Sequence, residues 1–328
     1  MPLSILDLAP VGPGETVADA FTASVDLARR AEAWGYTRIW YAEHHNMPAI
    51  ASAATSVLIA HVASQTSTIR LGAGGIMLPN HSPLLIAEQF GTLAALHPGR
   101  IDLGLGRAPG TDQATARALR TTVADAERFP QDVQELRAYL GERTLVPGVE
   151  ATPGRGSDVP VYILGSSLFG ARLAAALGLP YAFASHFAPA ALEQAVALYR
   201  AEFRPSPQLD APYVIAGVGV IVADTDAEAT DLLLATRRRR VGLILGRPRQ
   251  VFSDAEADEI LRTEAGRHVD AMLTYTAVGT PRAAREYLEG FRTHADADEL
   301  MVASVAVDRG AWLRSLERVA GVCLPARS

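Results

Sequence analysis

Short apolar runs alternate with longer amphipathic ones from one end of the chain to the other. The short runs are 3–8, 38–43, 69–77, 101–106, 161–165, 181–185, 213–222 and 299–306. Stretches such as SILDL, VYILG and MVASVAV are almost continuously apolar, the pattern of strands covered on both faces. The longer runs carry apolar residues at helical spacing. Over 17–34, the residues Val17, Phe21, Ser24, Val25, Ala28, Ala31 and Trp34 mark one face, and Gly35 stands where a left-handed C-terminal cap belongs. Ser82-Pro83 reads as an N-cap followed by proline at the first helical position. Further helices are predicted at 52–64, 84–96, 125–140, 167–177, 190–203, 226–240, 281–293 and 310–322, with Gly141 and Gly178 as stops.

Eight strands, each followed by at least one helix, predict an α/β protein built as a closed (β/α)8 TIM barrel with an insertion before the last strand. A doubly wound open sheet would need fewer strands or a second domain. No linker or internal repeat interrupts the pattern, so a single domain over 1–328 is expected. Two stretches, 107–124 and 241–280, exceed the short connections of such barrels and are expected as loops over the active-site face.

Composition narrows the partners. The chain has 328 residues, 49% hydrophobic and 20% charged, with net charge −6 and pI near 5.8, which argues against nucleic acid. The one basic run, Arg237–Arg240, falls at the predicted end of a helix, where cations complement the helix dipole. The lone Cys323 excludes an internal disulfide and a cysteine-based zinc site. The N-terminus lacks a basic region before its apolar run, and no segment approaches the roughly 18 apolar residues of a membrane span. A cytoplasmic enzyme with no membrane partner is expected.

In a parallel barrel, chemistry collects at the C-terminal ends of the strands. Those ends carry Glu43-His44-His45, Gly74-Gly75, Arg107, Gly165-Ser166-Ser167 and Ser185-His186. Neighbouring strand residues point to opposite faces, so His44 and His45 do not readily share an ion. No His-x-His or His-Glu-x-x-His spacing occurs, and no metal is expected. A single lumen-facing imidazole, with an unperturbed pKa of about 6.5, serves as acid or base; the alternative is a structural histidine at a strand end. Gly165-Ser166-Ser167 opens a helix and suits either an anion cradle or ordinary serine capping. The last two strand ends read Asp224-Thr225-Asp226 and Asp308-Arg309, whose carboxylates repel an anion. Arg107 is a countercharge or a surface ion-pair partner. Gly74-Gly75 is a bulge that helps the barrel curve, or bare backbone against which a flat ring lies.

Several blocks in order resemble the bacterial luciferase-like flavin monooxygenases, and the non-luminescent luciferase-like oxidoreductases in particular. They are the Glu-His-His strand end, LGAGGIMLPNHSPLLIAEQFGTL at 71–93, HPGRIDLGLGRAPGTD at 97–112, LGSSLFGARLAAALGLPYAFASHF at 164–187 and Val278-Gly279-Thr280-Pro281. The resemblance is weakest across 241–276. It implies a TIM barrel, a two-fold homodimer, and FMN that enters reduced and reacts with O2 to a C4a-hydroperoxide that oxygenates a small organic substrate. It further implies His44 as the catalytic residue, handling a proton near the flavin. Ala73-Gly74-Gly75 falls at the family's bulge behind the flavin ring, often with a non-proline cis peptide. Arg107 matches the arginine on the flavin phosphate, and Gly165, Ser166 and Ser167 match the phosphate turn. Glu43 and His186 are expected at the substrate pocket, with Glu43 and His45 also supporting His44.

Two departures limit the transfer. Gly106 stands where luciferases carry a reactive cysteine, and the signature for a long aldehyde substrate is absent. No nicotinamide-binding fingerprint stands in the strand–glycine–helix context it requires, so a separate NAD(P)H:flavin reductase is expected to supply reduced FMN. The rival readings are a deazaflavin-dependent reductase or dehydrogenase of the same barrel and a non-catalytic flavin-binding protein. A metal-dependent hydrolase is a more distant one.

Overall fold

A computed structural model of the chain describes residues 1–108, 112–247 and 249–325, apart from the side chain of Val123. Parts of the two long connections and of the C-terminus therefore lie outside the described residues. The strands are β1 (Leu3–Asp7), β2 (Arg38–Tyr41), β3 (Arg70–Met77), β4 (Ile101–Gly106), β5 (Val161–Gly165), β6 (Tyr181–Phe183), β7 (Val214–Val222), β8 (Thr276–Gly279) and β9 (Glu299–Ser304). Every ladder is parallel. Strands β1 to β7 follow one another around the barrel, and β9 closes it between β7 and β1.

Eight strands thus form the closed barrel, and β8 is a ninth, short strand that the hydrophobic pattern left inside the 241–280 connection. It exists because β7 outruns its neighbour. β6 pairs with only Val214–Ala216, while β9 holds the other edge of β7 along Ile215–Val220. Thr276–Gly279 takes the vacated edge at Gly219–Val222, satisfying backbone groups that would otherwise lack partners. The rest of that connection is helical: Asp226–Ile244, Asp254–Leu261 and Glu264–Met272. Likewise 107–124 holds a helix at Gln113–Ala118 and the start of another at Val123–Glu127.

The helix Val17–Trp34 starts at a Thr16–Asp19 capping box and ends at Gly35 with φ 92°, the left-handed cap the glycine predicted. Its buried face is Ala20, Ser24, Leu27, Ala28 and Ala31, rotated from the predicted stripe, and Val17 is exposed. Four of these five buried residues are small, which brings the helix close to the strands. The basic run also reads differently. The helix continues to Ile244, so Arg237–Arg240 is interior to it, and Arg237 and Arg238 pair with Asp270, Asp254 and Asp258. These pairs tie the long helix to the helices that follow it.

Strand alternation sorts the core into two shells. Ile39 and Tyr41 face outward into the large cluster between barrel and helices. Trp40 and Ala42 face inward with Leu6, Tyr162, Ala182, Ile215, Met301 and Ala303. Below this inner layer the N-terminal end of the barrel is plugged by a buried ion network. Arg38 grips Glu299 with two hydrogen bonds of 3.0 and 3.1 Å, reaches Asp102 at 2.8 Å and donates to the Tyr162 hydroxyl at 2.7 Å. Trp40 Nε1 and Arg70 also donate to Asp102, while Ser4 and Tyr213 donate to Glu299. Among the described residues no helix is long and apolar enough to cross a membrane.

Candidate active site

Above the apolar layer, at the C-terminal ends of the strands, lies a cavity of about 700 Å³. Its walls include Leu6, Trp40, Leu164, Ile215, Met301 and Trp312, and its polar groups are few: His44, Arg107, Ser166, Ser167, His186, Ser304 and Arg240. The size and the sparse convergent polarity are those of a small-molecule or cofactor site.

His44 enters this cavity through the inward register of β2, which carries Arg38 and Trp40 on the lumen side and is continued beyond the strand by Ala42 and then His44. Its backbone N–H donates to Ser52 O at 3.0 Å, and Nδ1 is buried with no partner. Burial holds its pKa below the ordinary value; the Glu43 charge opposes that shift and His45 adds to it. The ring is therefore held neutral near pH 7, able to accept or relay a proton.

Glu43, expected at the substrate pocket, does not line the cavity. The same alternation that sends His44 inward turns Glu43 away, and its carboxylate is enclosed by donors. His45 Nε2 lies at 2.8 Å, His81 Nε2 at 3.0 Å, Asn80 Nδ2 at 3.0 Å and the Met77 N–H at 3.0 Å. Burial would raise its pKa, but the hydrogen bonds from His81, Asn80 and His45, together with the His81 charge, outweigh it and hold the carboxyl below its usual range. Glu43 ties the end of β2 to the segment after β3. Asn46, with φ 56°, makes a second tie: its amide donates to Thr115 at 3.0 Å and accepts from Arg249 at 2.8 Å, joining both long connections at the mouth.

The Gly74–Gly75 peptide is cis, and the pairing of β3 with β4 shifts register between Ala73 and Ile76. Only Gly74 of this trio lines the cavity. Glycine is required sterically: a Cβ on Gly74 would lie 2.8 Å from Trp40 Cβ, and one on Gly75 would lie 2.7 Å from the Gly104 carbonyl. Ala73 and Gly75 build the wall from behind.

At the β4–β5 side the helix Leu168–Leu177 opens towards the cavity. Ser167 occupies its N-cap without a side-chain capping bond, so ordinary capping does not engage its hydroxyl. Ser166 and Ser167 are exposed, and the Arg107 guanidinium lies 4.3 Å over the Phe169 ring. Among the described residues Arg107 makes no ion pair. Free N–H groups, two hydroxyls and an unpaired cation converge where an anion is best held.

His186 lies deeper. Its ring meets Phe187 edge-on at 5.0 Å, its Nδ1 is buried without a partner, and a Cβ on Gly217 would come within 2.4 Å of that nitrogen. Burial first, then Arg240 and His44, push its pKa down to about 4. This has a measurable consequence. The unfolded imidazole, near 6.5, takes up a proton before the folded one, so the stabilisation is complete above pH 6.5 and is lost as pH falls towards 4. Wild type is expected to lose about 2 kcal/mol more than His186→Gln between pH 6.5 and pH 5 in urea unfolding. Equal losses in both proteins would remove the imidazole as the cause.

Among the described residues no group of three or more His, Cys, Asp and Glu is placed to hold a metal ion. The residue that sequence reasoning missed is Arg240, hidden in a basic run whose other members lie outside this cavity.

The strand ends and cavity define a barrel protein with its site at the C-terminal mouth. The chain belongs to the luciferase-like monooxygenase family, whose model matches residues 1–297. It is 51% identical to YvbT of Bacillus subtilis (strain 168), over 98% of this chain and 96% of that one. A luciferase-like monooxygenase of Escherichia coli (strain K12) is 49% identical over 96% of this chain and 94% of its own length. Among solved structures, apo-MsnO8 superposes with a TM-score of 0.87 at 35% identity, covering 98% of each chain.

Proposed function

We propose that this protein is the oxygenating component of a two-component, FMN-dependent monooxygenase. Reduced FMN comes from a separate NAD(P)H:flavin reductase. When bound, it supplies two electrons, so that one atom of O2 enters a small organic substrate and the other leaves as water. The observation that carries the reading is one cavity holding an anion cradle (Arg107, Ser166 and Ser167), bare backbone at Gly74 and an unpartnered neutral imidazole at His44.

Each part has a use. The cradle residues would hold the flavin phosphate, and Gly74 lines the cavity with bare backbone against which a flat ring would lie. The apolar walls keep water from the reacting centre. His44 lines the cavity with no side-chain hydrogen bond among the described residues, so its imidazole would hold or move one proton there. A relative, the N-acetyl-S-alkylcysteine monooxygenase of Bacillus subtilis (strain 168), is 36% identical over 79% of each chain; its name supports oxygenation of a small molecule. A homodimer belongs to the same proposal and is checked by light scattering.

Anaerobic titration tests the cofactor. Reduced FMN is expected to bind on the order of tenfold tighter than reduced deazaflavin. With a reductase present, labelled O2 is expected to place label in product. A preference for deazaflavin would replace this reading by hydride transfer; FMN binding without label in any product screened would leave a non-catalytic flavin carrier. Rapid NAD(P)H oxidation by the chain alone would overturn the two-component assignment.

A further inference from the structure

The cavity contains two arginines and not one carboxylate among its described lining residues. Arg107 stands beside Ser166 and Ser167, the cradle assigned above to the flavin phosphate. Arg240 comes from the helix Asp226–Ile244 that follows β7, and lies near enough to His186 to lower that imidazole's affinity for a proton. One phosphate accounts for one of the two cations.

Arg240 differs from its neighbours in the basic run. Arg237 pairs with Asp270 at 2.8 Å, and Arg238 pairs with Asp254 at 2.5 Å and Asp258 at 2.7 Å. Arg239 is exposed. Arg240 makes no ion pair, hydrogen bond or ring contact among the described residues. A largely buried cation without a countercharge is unfavourable, and burial weakens its hold on the proton. A ligand that brings the missing negative charge removes that penalty.

Its position says which ligand. Beside the main cavity is a second pocket of about 400 Å³. Arg240 lines both, together with Met47, Ile50 and Leu243. None of the cradle residues lines the second pocket, whereas Arg240 lines both, so Arg240 stands at the neck where the two meet and not within the cradle. The walls at the neck are apolar, and the guanidinium is a planar fork suited to a two-oxygen anion.

We infer that Arg240 anchors the substrate, and that the substrate is a small organic anion, a carboxylate or sulfonate on an apolar body. This rests on the monooxygenase reading for its chemistry but not for its binding. The test uses octanoate, 1-octanesulfonate and 1-octanol as probes, titrated into the protein with and without saturating FMN. Calorimetry gives the affinity, and fluorescence of Trp40 and Trp312 reports occupancy of the cavity they line.

At least one anion is expected to bind about ten- to a hundredfold tighter than the alcohol. Arg240→Leu is expected to abolish that preference, and Arg240→Lys to keep part of it, with FMN affinity unchanged in both. No preference in the wild type would overturn the inference, as would a preference that survives Arg240→Leu. Loss of FMN affinity in Arg240→Leu with the preference intact would make Arg240 a flavin contact instead. If FMN fails to bind at all while the preference is present and depends on Arg240, the monooxygenase reading fails and the anion site stands.

Discussion

Replacing His44 by alanine is expected to slow the proton-dependent phase of flavin reoxidation by roughly 10²- to 10⁴-fold, the usual contribution of a positioned acid or base. FMN affinity should change little, because the cradle at Arg107, Ser166 and Ser167 lies on other strand ends. The expectation follows from burial and isolation. Among the described residues the His44 side chain has no hydrogen-bond partner, and burial keeps the ring neutral, so its proton capacity is free for the reaction. Stopped-flow mixing of the reduced FMN complex with air-saturated buffer measures the rate, and calorimetry the affinity. Unchanged kinetics with unchanged binding would remove His44 from the chemistry. His44→Asn, which keeps a polar side chain of smaller size, guards against simple collapse of the wall.

The largest effect on stability is expected far from the site, at Arg38. Arg38→Met should destabilise the protein by about 3–5 kcal/mol, the range for removing one partner of a buried ion pair. Its side chain is only 8% exposed and answers Glu299 and Asp102, both with fully buried side chains. Asp102 retains Arg70, so Glu299 carries most of the loss. Urea unfolding monitored by circular dichroism checks the value. The double variant Arg38→Met with Glu299→Gln should recover a substantial part, because it removes the stranded charge. A loss under about 1 kcal/mol in the single variant would mean that the plug is dispensable.

Much of the barrel was legible because its signals are local. Continuous apolar runs gave the eight barrel strands, and glycine at 35 and 178 marked helix ends that adopt left-handed caps. The Gly74–Gly75 bulge was legible for the same reason, since two glycines inside a strand have few other uses. Strand β8 was not. Thr276–Gly279 is four residues long, and it becomes a strand only because β7 extends beyond β6. The assignment of Glu43 to the substrate pocket shows a different limit. A period of two already separates Glu43 from His44, so with His44 in the lumen, Glu43 had to turn away.

By itself, then, the sequence determined which segments are strands and that polar groups gather at their C-terminal ends, while the outward turn of Glu43 had to be taken from the structure. The first two follow from hydrophobic period and backbone sterics, which act over a few residues. Only the tertiary structure decided which charges are answered. Arg38 meets Glu299, 261 positions away, and Asp102, 64 positions away, whereas among the described residues Arg240 meets no carboxylate although two arginines of its own run do. A charge's partners are set by elements brought together when the barrel closes, and no local pattern encodes them.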